Sequence, residues 1–427
     1  MMRSSLQSTL LALVIFSLVS TLLFLFYFKE ETTLFGRHWK GALLLQQRVS
    51  NARHESDINK TELFPRGSTS TPLKCEPKNN ILFLKTHKTG SSTIANIFFR
   101  YGDLRNLTFA LPGATLLGWP NRFQVYFPFR LQTKQTPNIL CSHSRFNKKP
   151  MNWLFPKRTS KYVTILRNPV DNFESAFSFM KLGNQVGVGN NPDSLQRFLK
   201  NGIPFTTMEG KASPLTRNPL LHDLGLSFKY YQNLTAVNEY IQFLDNEFDL
   251  VMIMDYFDES LVLMKRLLCW KMDDILFLKL NERQNEEKDT ILTDDVRENI
   301  KRWNKADVLL FEYFNKSFWD KIENEGENFY KELATFRERK SEIKRACVTN
   351  ETRLQTVYAA KRVKGYSIRS DLPKGLKTLC KKLTISSNAY LAYLRGKHNE
   401  RLEKDVDEDK ESWDLSKDLV YKPVQPV

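Results

Sequence analysis

The Walker order G-x-x-x-x-G-K-[ST] occurs nowhere in the 427 residues, which removes the main signature of a nucleoside-triphosphate loop. Cysteine is scarce. Cys75, Cys141, Cys269, Cys347 and Cys380 include no CxxC pair, so a structural zinc site is not expected, and no other metal constellation is evident. There is no zinc-finger spacing and no RNP-like aromatic motif, so nucleic acid is not an expected partner. Internal repeats and low-complexity tracts are absent too. Acidic residues number 48 against 64 lysines and arginines, a net charge of +16, which suits acidic partners or a solvated basic surface.

What remains is the composition of a globular protein, 41% hydrophobic and 26% charged. The longest apolar run, Leu10 to Phe28, is 19 residues without a charge, about enough to span a bilayer as a helix. It ends in FLFYF with no small-residue cleavage site, so residues 1–9 read as a cytoplasmic tail and 10–28 as an uncleaved signal anchor. Residues 29–74 are polar and irregular, a stem. Residues 75–395 form the body, and 396–427 a charged tail expected to be disordered. Sequons at Asn59, Asn106, Asn233, Asn315 and Asn350 all follow the anchor, which favours a type II protein with a luminal body. Five cysteines in that compartment allow one or two disulfides and leave at least one thiol free or bonded to another chain, which permits a homo-oligomer.

Short apolar runs at Ile81–Leu84, Ile139–Cys141, Tyr162–Leu166, Leu250–Met254 and Ile275–Leu280 read as buried strands. Helical patterns fall between them. The alternation predicts an α/β, three-layer parallel sheet, followed from about Thr293 by a helical, charged C-terminal part.

Two segments carry chemistry. In NNILFLKTHKTGSSTIANIFFRYG, a strand meets a short polar loop and then a helix start. Backbone N–H groups at a helix N-terminus suit a phosphate. Gly90 permits close approach, Ser91, Ser92 and Thr93 can cap the helix or donate hydrogen bonds, and Lys85 and Lys88 add charge. An ordinary βα turn would look the same. In TILRNPVDNFESAFSFM, Arg167 closes a strand, Pro169 opens a helix and Ser175 lies two turns in. Arg167 and Ser175 can converge on one phosphate, or Arg167 can pair with Asp171 or Glu174.

Together these segments resemble the two cofactor signatures of sulfotransferases. With NILCSHSRF, YFDESLVLMKRLLCW and FLKLNER, the chain from about Cys75 to Leu394 is similar to the galactose-3-O-sulfotransferase family, which includes galactosylceramide sulfotransferase and glycoprotein-acting relatives. The resemblance implies a P-loop-like sulfotransferase fold, 3′-phosphoadenosine-5′-phosphosulfate (PAPS) as sulfate donor, and a type II Golgi membrane enzyme with a luminal catalytic domain. It implies transfer to the 3-hydroxyl of a terminal β-galactose. Thr86 to Thr93, Thr89 included, would be the 5′-phosphosulfate loop. Lys88 would meet the oxygen bridging phosphate and sulfate, and Arg167 and Ser175 would hold the 3′-phosphate. Many family sequences have Asp at the position of Asn168 and Ala at that of Gly90; neither departure removes a binding group.

The acceptor hydroxyl needs a base. Of six histidines, His38 and His54 fall in the stem and His398 near the tail, leaving His87, His143 and His222. His143 follows a strand and so lies at the sheet's carboxyl edge, where α/β sites gather, and the resemblance favours it as the base. His87, inside the loop, is either a catalytic helper or a loop residue. Arg145 is a candidate cofactor or acceptor contact, and Trp119 and Trp153 are candidate sugar platforms. Acceptors are galactosides on glycoproteins or glycolipids, with a lean to glycoprotein or broad galactoside acceptors. A P-loop NTPase or kinase should show a Walker lysine, which is missing. A non-catalytic glycan-binding relative should lack Lys88 or His143, and both are present.

Overall fold

A computed structural model describes residues 75–128, 136–201, 213–280, 292–356 and 362–418. The anchor, the stem, Asn59, His38 and His54 lie outside them. Among the described residues no helix is long and apolar enough to cross a membrane.

The second of the chain's two units begins at Cys75. Its first strand, β1 (Ile81–Leu84), is followed by α1 (Ser91–Leu104), β2 (Ile139–Leu140), β3 (Lys161–Leu166), α2 (Pro169–Phe179) and the short α3 (Pro219–Asp223). Next come α4 (Leu234–Glu247), β4 (Leu250–Ile253), α5 (Phe257–Leu268), α6 (Asp294–Trp303), α7 (Lys305–Asn324) and α8 (Glu327–Cys347). A hairpin of β5 (Val348–Thr356) and β6 (Arg362–Ile368), then α9 (Lys374–Thr384) and α10 (Ser387–Asp418), complete the unit. This is an α/β architecture with a parallel sheet, as expected.

The four parallel strands lie in the order β2-β1-β3-β4. All four side chains of β1 are fully buried, so both faces of the sheet are covered. β1 feeds leftward to β2 and β3 feeds rightward to β4. The crevice between the carboxyl ends of β1 and β3 is therefore a topological switch point, where α/β sheets bind ligands. The two chemistry-bearing segments are the loops that leave these two strands.

The expected strand at Ile275–Leu280 does not form. Ile275 ends a 3₁₀ turn and the rest is irregular. Its backbone is instead held by α1: Arg100 donates to the Leu276 carbonyl, and the Leu280 N–H donates to Thr93 Oγ1 at 3.1 Å. The helical reading of the C-terminal part missed the β5–β6 hairpin, whose sequences, VTNETRLQT and RVKGYSI, show no regular apolar alternation. Regular structure also continues past Asn399, because α10 runs through Asp418.

The C-terminal helices are tied to α1 through Asp103, 8% exposed. Its carboxylate receives Lys382 at 2.6 Å and Lys397 at 2.7 Å. Disulfides join Cys75 to Cys269 and Cys347 to Cys380, and Cys141 is a buried free thiol. Asn106 and Asn233 are exposed, whereas Asn315 lies within α7 with its Oδ1 buried.

Candidate active site

The loop after β1 turns sharply. Lys88 and Gly90 both adopt left-handed backbone, at φ 60° and 71°. A Cβ at Gly90 would sit 3.2 Å from the Phe257 ring, so this position suits glycine. Gly90 is the N-cap of α1 and supplies no side chain, so the first N–H groups of a 14-residue helix face the loop without a capping acceptor.

The hydroxyls expected to cap this helix serve elsewhere. Ser91 Oγ donates to the Thr86 carbonyl at 2.6 Å, Thr93 accepts from Leu280, and Thr89 Oγ1 pairs with Thr86 Oγ1 at 2.9 Å. They brace the loop, leaving backbone N–H groups and Ser92 at its mouth.

Lys85 extends from the end of β1 into the interior, 6% exposed. Its Nζ lies 2.7 Å from His143 Nε2 and 3.3 Å from Ser92 Oγ. Burial pushes its ammonium down to about 7, although Cys141 and Asp223 oppose the shift. Lys88 places its ammonium 3.4 Å from the centroid of the Phe179 ring.

His87 is oriented by a residue that sequence reasoning missed. Asp223, at the end of α3 and fully buried, accepts the His87 backbone N–H at 2.7 Å and its ring Nδ1–H at 2.8 Å. Trp119 Nε1–H donates to the second carboxylate oxygen at 2.8 Å. Burial alone would raise the Asp223 carboxyl, but the charge and hydrogen bonds of His87 outweigh it and hold it below the usual carboxylate range. An ionised carboxylate only accepts, so the His87 nitrogen that faces it, Nδ1, carries a proton, and Nε2 lies on the opposite side of the ring. Trp119 packs at 4.5 Å from His87, and His143 stacks on it at 4.0 Å and 14°.

His143 is hydrogen-bonded at both ring nitrogens. Its Nδ1–H donates to the Lys85 carbonyl at 2.9 Å and its Nε2 accepts from Lys85 Nζ. Burial, together with the neighbouring His87 and Lys85, keeps it well below the ordinary histidine value. His222 is pushed down to about 4 by burial. Arg145 is a brace rather than an open contact, donating to the His222 carbonyl at 3.0 Å and the Leu226 carbonyl at 2.9 Å.

The second segment grips the first. Arg167 donates to the Lys88 carbonyl at 3.1 Å, and Asn172 on α2 donates to the His87 carbonyl at 2.8 Å. Ser175 is buried on the same helix. Asn168 caps α2, accepting from Val170 N–H at 3.0 Å, a bond that aspartate also makes. Thus Lys85, His87, His143, Ser91 and Ser92 come together, and Lys88 joins Arg167 through its backbone. Trp119, not Trp153, touches the His87–Asp223 pair. Asp223 lies 136 residues from His87, and its one sequence signal is a proline-led helix start ending in an acid. Among the described residues there is no group of three or more His, Cys, Asp or Glu that could hold a metal ion.

An imidazole held by a buried carboxylate beside a buried lysine and an uncapped helix N-terminus can remove a proton where an anion is bound. A family model described as galactose-3-O-sulfotransferase matches residues 33–398. The chain is 31% identical to galactosylceramide sulfotransferase of Homo sapiens over 336 residues, covering 74% of this chain and 78% of the relative. It is 33% identical to galactose-3-O-sulfotransferase 2 of Sus scrofa over 341 residues, 74% and 84% of the two chains. To galactose-3-O-sulfotransferase 3 of Homo sapiens it is 33% identical over 299 residues, 66% and 69%.

Proposed function

The chain belongs to the galactose-3-O-sulfotransferase family and is a sulfotransferase, and on that premise we propose that it moves a sulfuryl group from PAPS to the 3-hydroxyl of a terminal β-galactose, with His87 as the base. The observation that carries the base assignment is the His87–Asp223 pair. Asp223 fixes the tautomer that leaves Nε2 free to take a proton, and it stabilises the imidazolium that results. His143 becomes the partner of Lys85 rather than the base.

The donor set fits an anionic nucleotide. The uncapped N–H groups of α1 with Ser92 suit the 5′-phosphate, Arg167 and Ser175 the 3′-phosphate, and Lys88 the bridge between phosphate and sulfate. PAPS supplies an activated sulfuryl group. As it passes to the acceptor, negative charge builds on the phosphate oxygen left behind. The buried Lys85 ammonium is placed to oppose that charge, and an anion beside it favours its protonated form. Trp119, packed on His87, offers an aromatic face to the acceptor sugar.

The P-loop-like sulfotransferase fold, the type II Golgi location with a luminal body, and glycoprotein or broad galactoside acceptors belong to the same reading. The Leu10–Phe28 run and the five sequons support the location. The test is to incubate the full chain with radiolabelled PAPS and a panel of β-galactosides bearing free or blocked 3-hydroxyls. Label should enter only the free 3-hydroxyl compounds, and His87→Ala should slow it by at least about 100-fold while adenosine 3′,5′-bisphosphate still binds. Undiminished transfer by His87→Ala, or transfer that ignores the 3-hydroxyl, refutes the proposal.

A further inference from the structure

We infer that Asp307 on α7 is a positioning residue for proton removal, locking the short helix that presents Asp223 to His87. The inference rests on the base proposed above. Helix α3 has five residues, too few to hold its own geometry in isolation. Its opening is fastened from α7: Leu220 N–H donates to Asp307 Oδ2 and Leu221 N–H to Oδ1, both at 2.9 Å. The link is returned, since the Asp307 N–H donates to Asn218 Oδ1 at 3.0 Å and the Asn218 N–H to Asn304 Oδ1 at 2.7 Å. Asn218, Asn304 and Asp307 are each 1% exposed, so water does not compete for these bonds.

The other end of α3 is held from the segment after β2. Phe146 N–H donates to the Asp223 carbonyl at 2.8 Å and Arg145 to the His222 carbonyl. Asp223 is thus the last residue of a helix pinned at both ends, and its carboxylate meets His87 at the angle those pins allow. A fully buried carboxyl that satisfies two adjacent helix N–H groups permits neither sliding nor rotation of α3 without losing both bonds. Burial also pushes Asp307 up to about 7, a shift that the Leu220 and Leu221 N–H bonds oppose and the charge of Asp223 reinforces.

Two variants of the full chain test this. Asp307→Asn keeps the shape but sets an amide N–H against a helix N–H. Asn218→Gly removes the return link while suiting the left-handed backbone at φ 44°. Thermal melts, affinity for adenosine 3′,5′-bisphosphate, and kcat and KM with PAPS and a β-galactoside are measured for both, with Asp223→Asn alongside. Asp307→Asn is expected to lose about 100-fold in kcat, the scale of a 1 Å misplacement, with nucleotide affinity and the KM for PAPS unchanged. Asn218→Gly should shift in the same direction by less. Wild-type kcat in both folded variants, or a parallel loss of nucleotide affinity, overturns the inference. Failure of both to fold also overturns it, because the brace is then a folding element. If Asp223→Asn retains full kcat, the base assignment fails instead; if it alone loses kcat, only the brace fails.

Discussion

Replacing Lys85 by methionine should make the free protein more stable and the enzyme inactive. Lys85 is 6% exposed, and burial lowers its ammonium from 10.5 to about 7. At about 1.4 kcal/mol per tenfold, that is roughly 5 kcal/mol held against the charged form. The folded protein therefore binds fewer protons than the unfolded chain between pH 7 and 10.5. The wild type loses stability as pH falls through that window. Methionine has a similar length and no charge to bury. At pH 7.5 the relief is about 4 kcal/mol by the same conversion. Against it stands the cost of leaving His143 Nε2 without its partner, about 1–3 kcal/mol. The net is a gain of about 2 kcal/mol at pH 7.5 from those two magnitudes. Urea unfolding of the two proteins from pH 7 to 9 is the assay. The gap should shrink by up to about 1.4 kcal/mol per pH unit, because above pH 7 the wild type increasingly escapes the penalty. Sulfuryl transfer should fall by at least about 100-fold, from loss of a charged partner at the leaving oxygen. A variant less stable than wild type with no pH trend in the difference refutes the reasoning, as does one that retains turnover.

His143→Ala should bind the nucleotide more weakly through a displaced Lys85, whereas His87→Ala should lose about 10²–10⁴ in kcat with nucleotide affinity kept; calorimetry with steady-state kinetics separates the two. Replacing Cys380 by serine opens a bridge of sequence separation 33 and should cost about 4 kcal/mol by loop entropy; an unchanged melting temperature contradicts this. In glycopeptide mass spectra of secretory-pathway protein, the exposed Asn233 should carry glycan and Asn315, inside α7, should not; a modified Asn315 would show that this part of α7 opens before it packs.

The elements that build the site were readable because their signals are local. β1 is an uninterrupted apolar run, β3 is apolar apart from Lys161 and Thr164, Gly90 punctuates the first loop, and Pro169 opens α2. Ile275–Leu280 is equally apolar but has no strand beside it. A strand exists only where a neighbour accepts its ladder, and here α1 satisfies the backbone instead. The β5–β6 hairpin failed for the opposite reason, since its pairing needs no apolar alternation. His143 looked like the base from its place after a strand, yet both of its nitrogens are engaged. Asp223 and Asp307 reach the site across 136 and 86 residues, distances at which no motif operates. Sequence reading found the loop's residues but not the carboxylates that arrange them.

The grip of Arg167 on Lys88 and of Asn172 on His87 has a consequence for anyone breeding new variants of this enzyme. Arg167, which would hold the donor's far phosphate, also holds the backbone next to the proposed base, and Asn172, on the helix that carries Ser175, holds the carbonyl of His87 itself. Choice of donor and speed of turnover are therefore inherited together. A library that randomises positions 167–175 to accept a cheaper sulfate donor will return slow enzymes, and recovering their speed will require varying 85–90 in the same round.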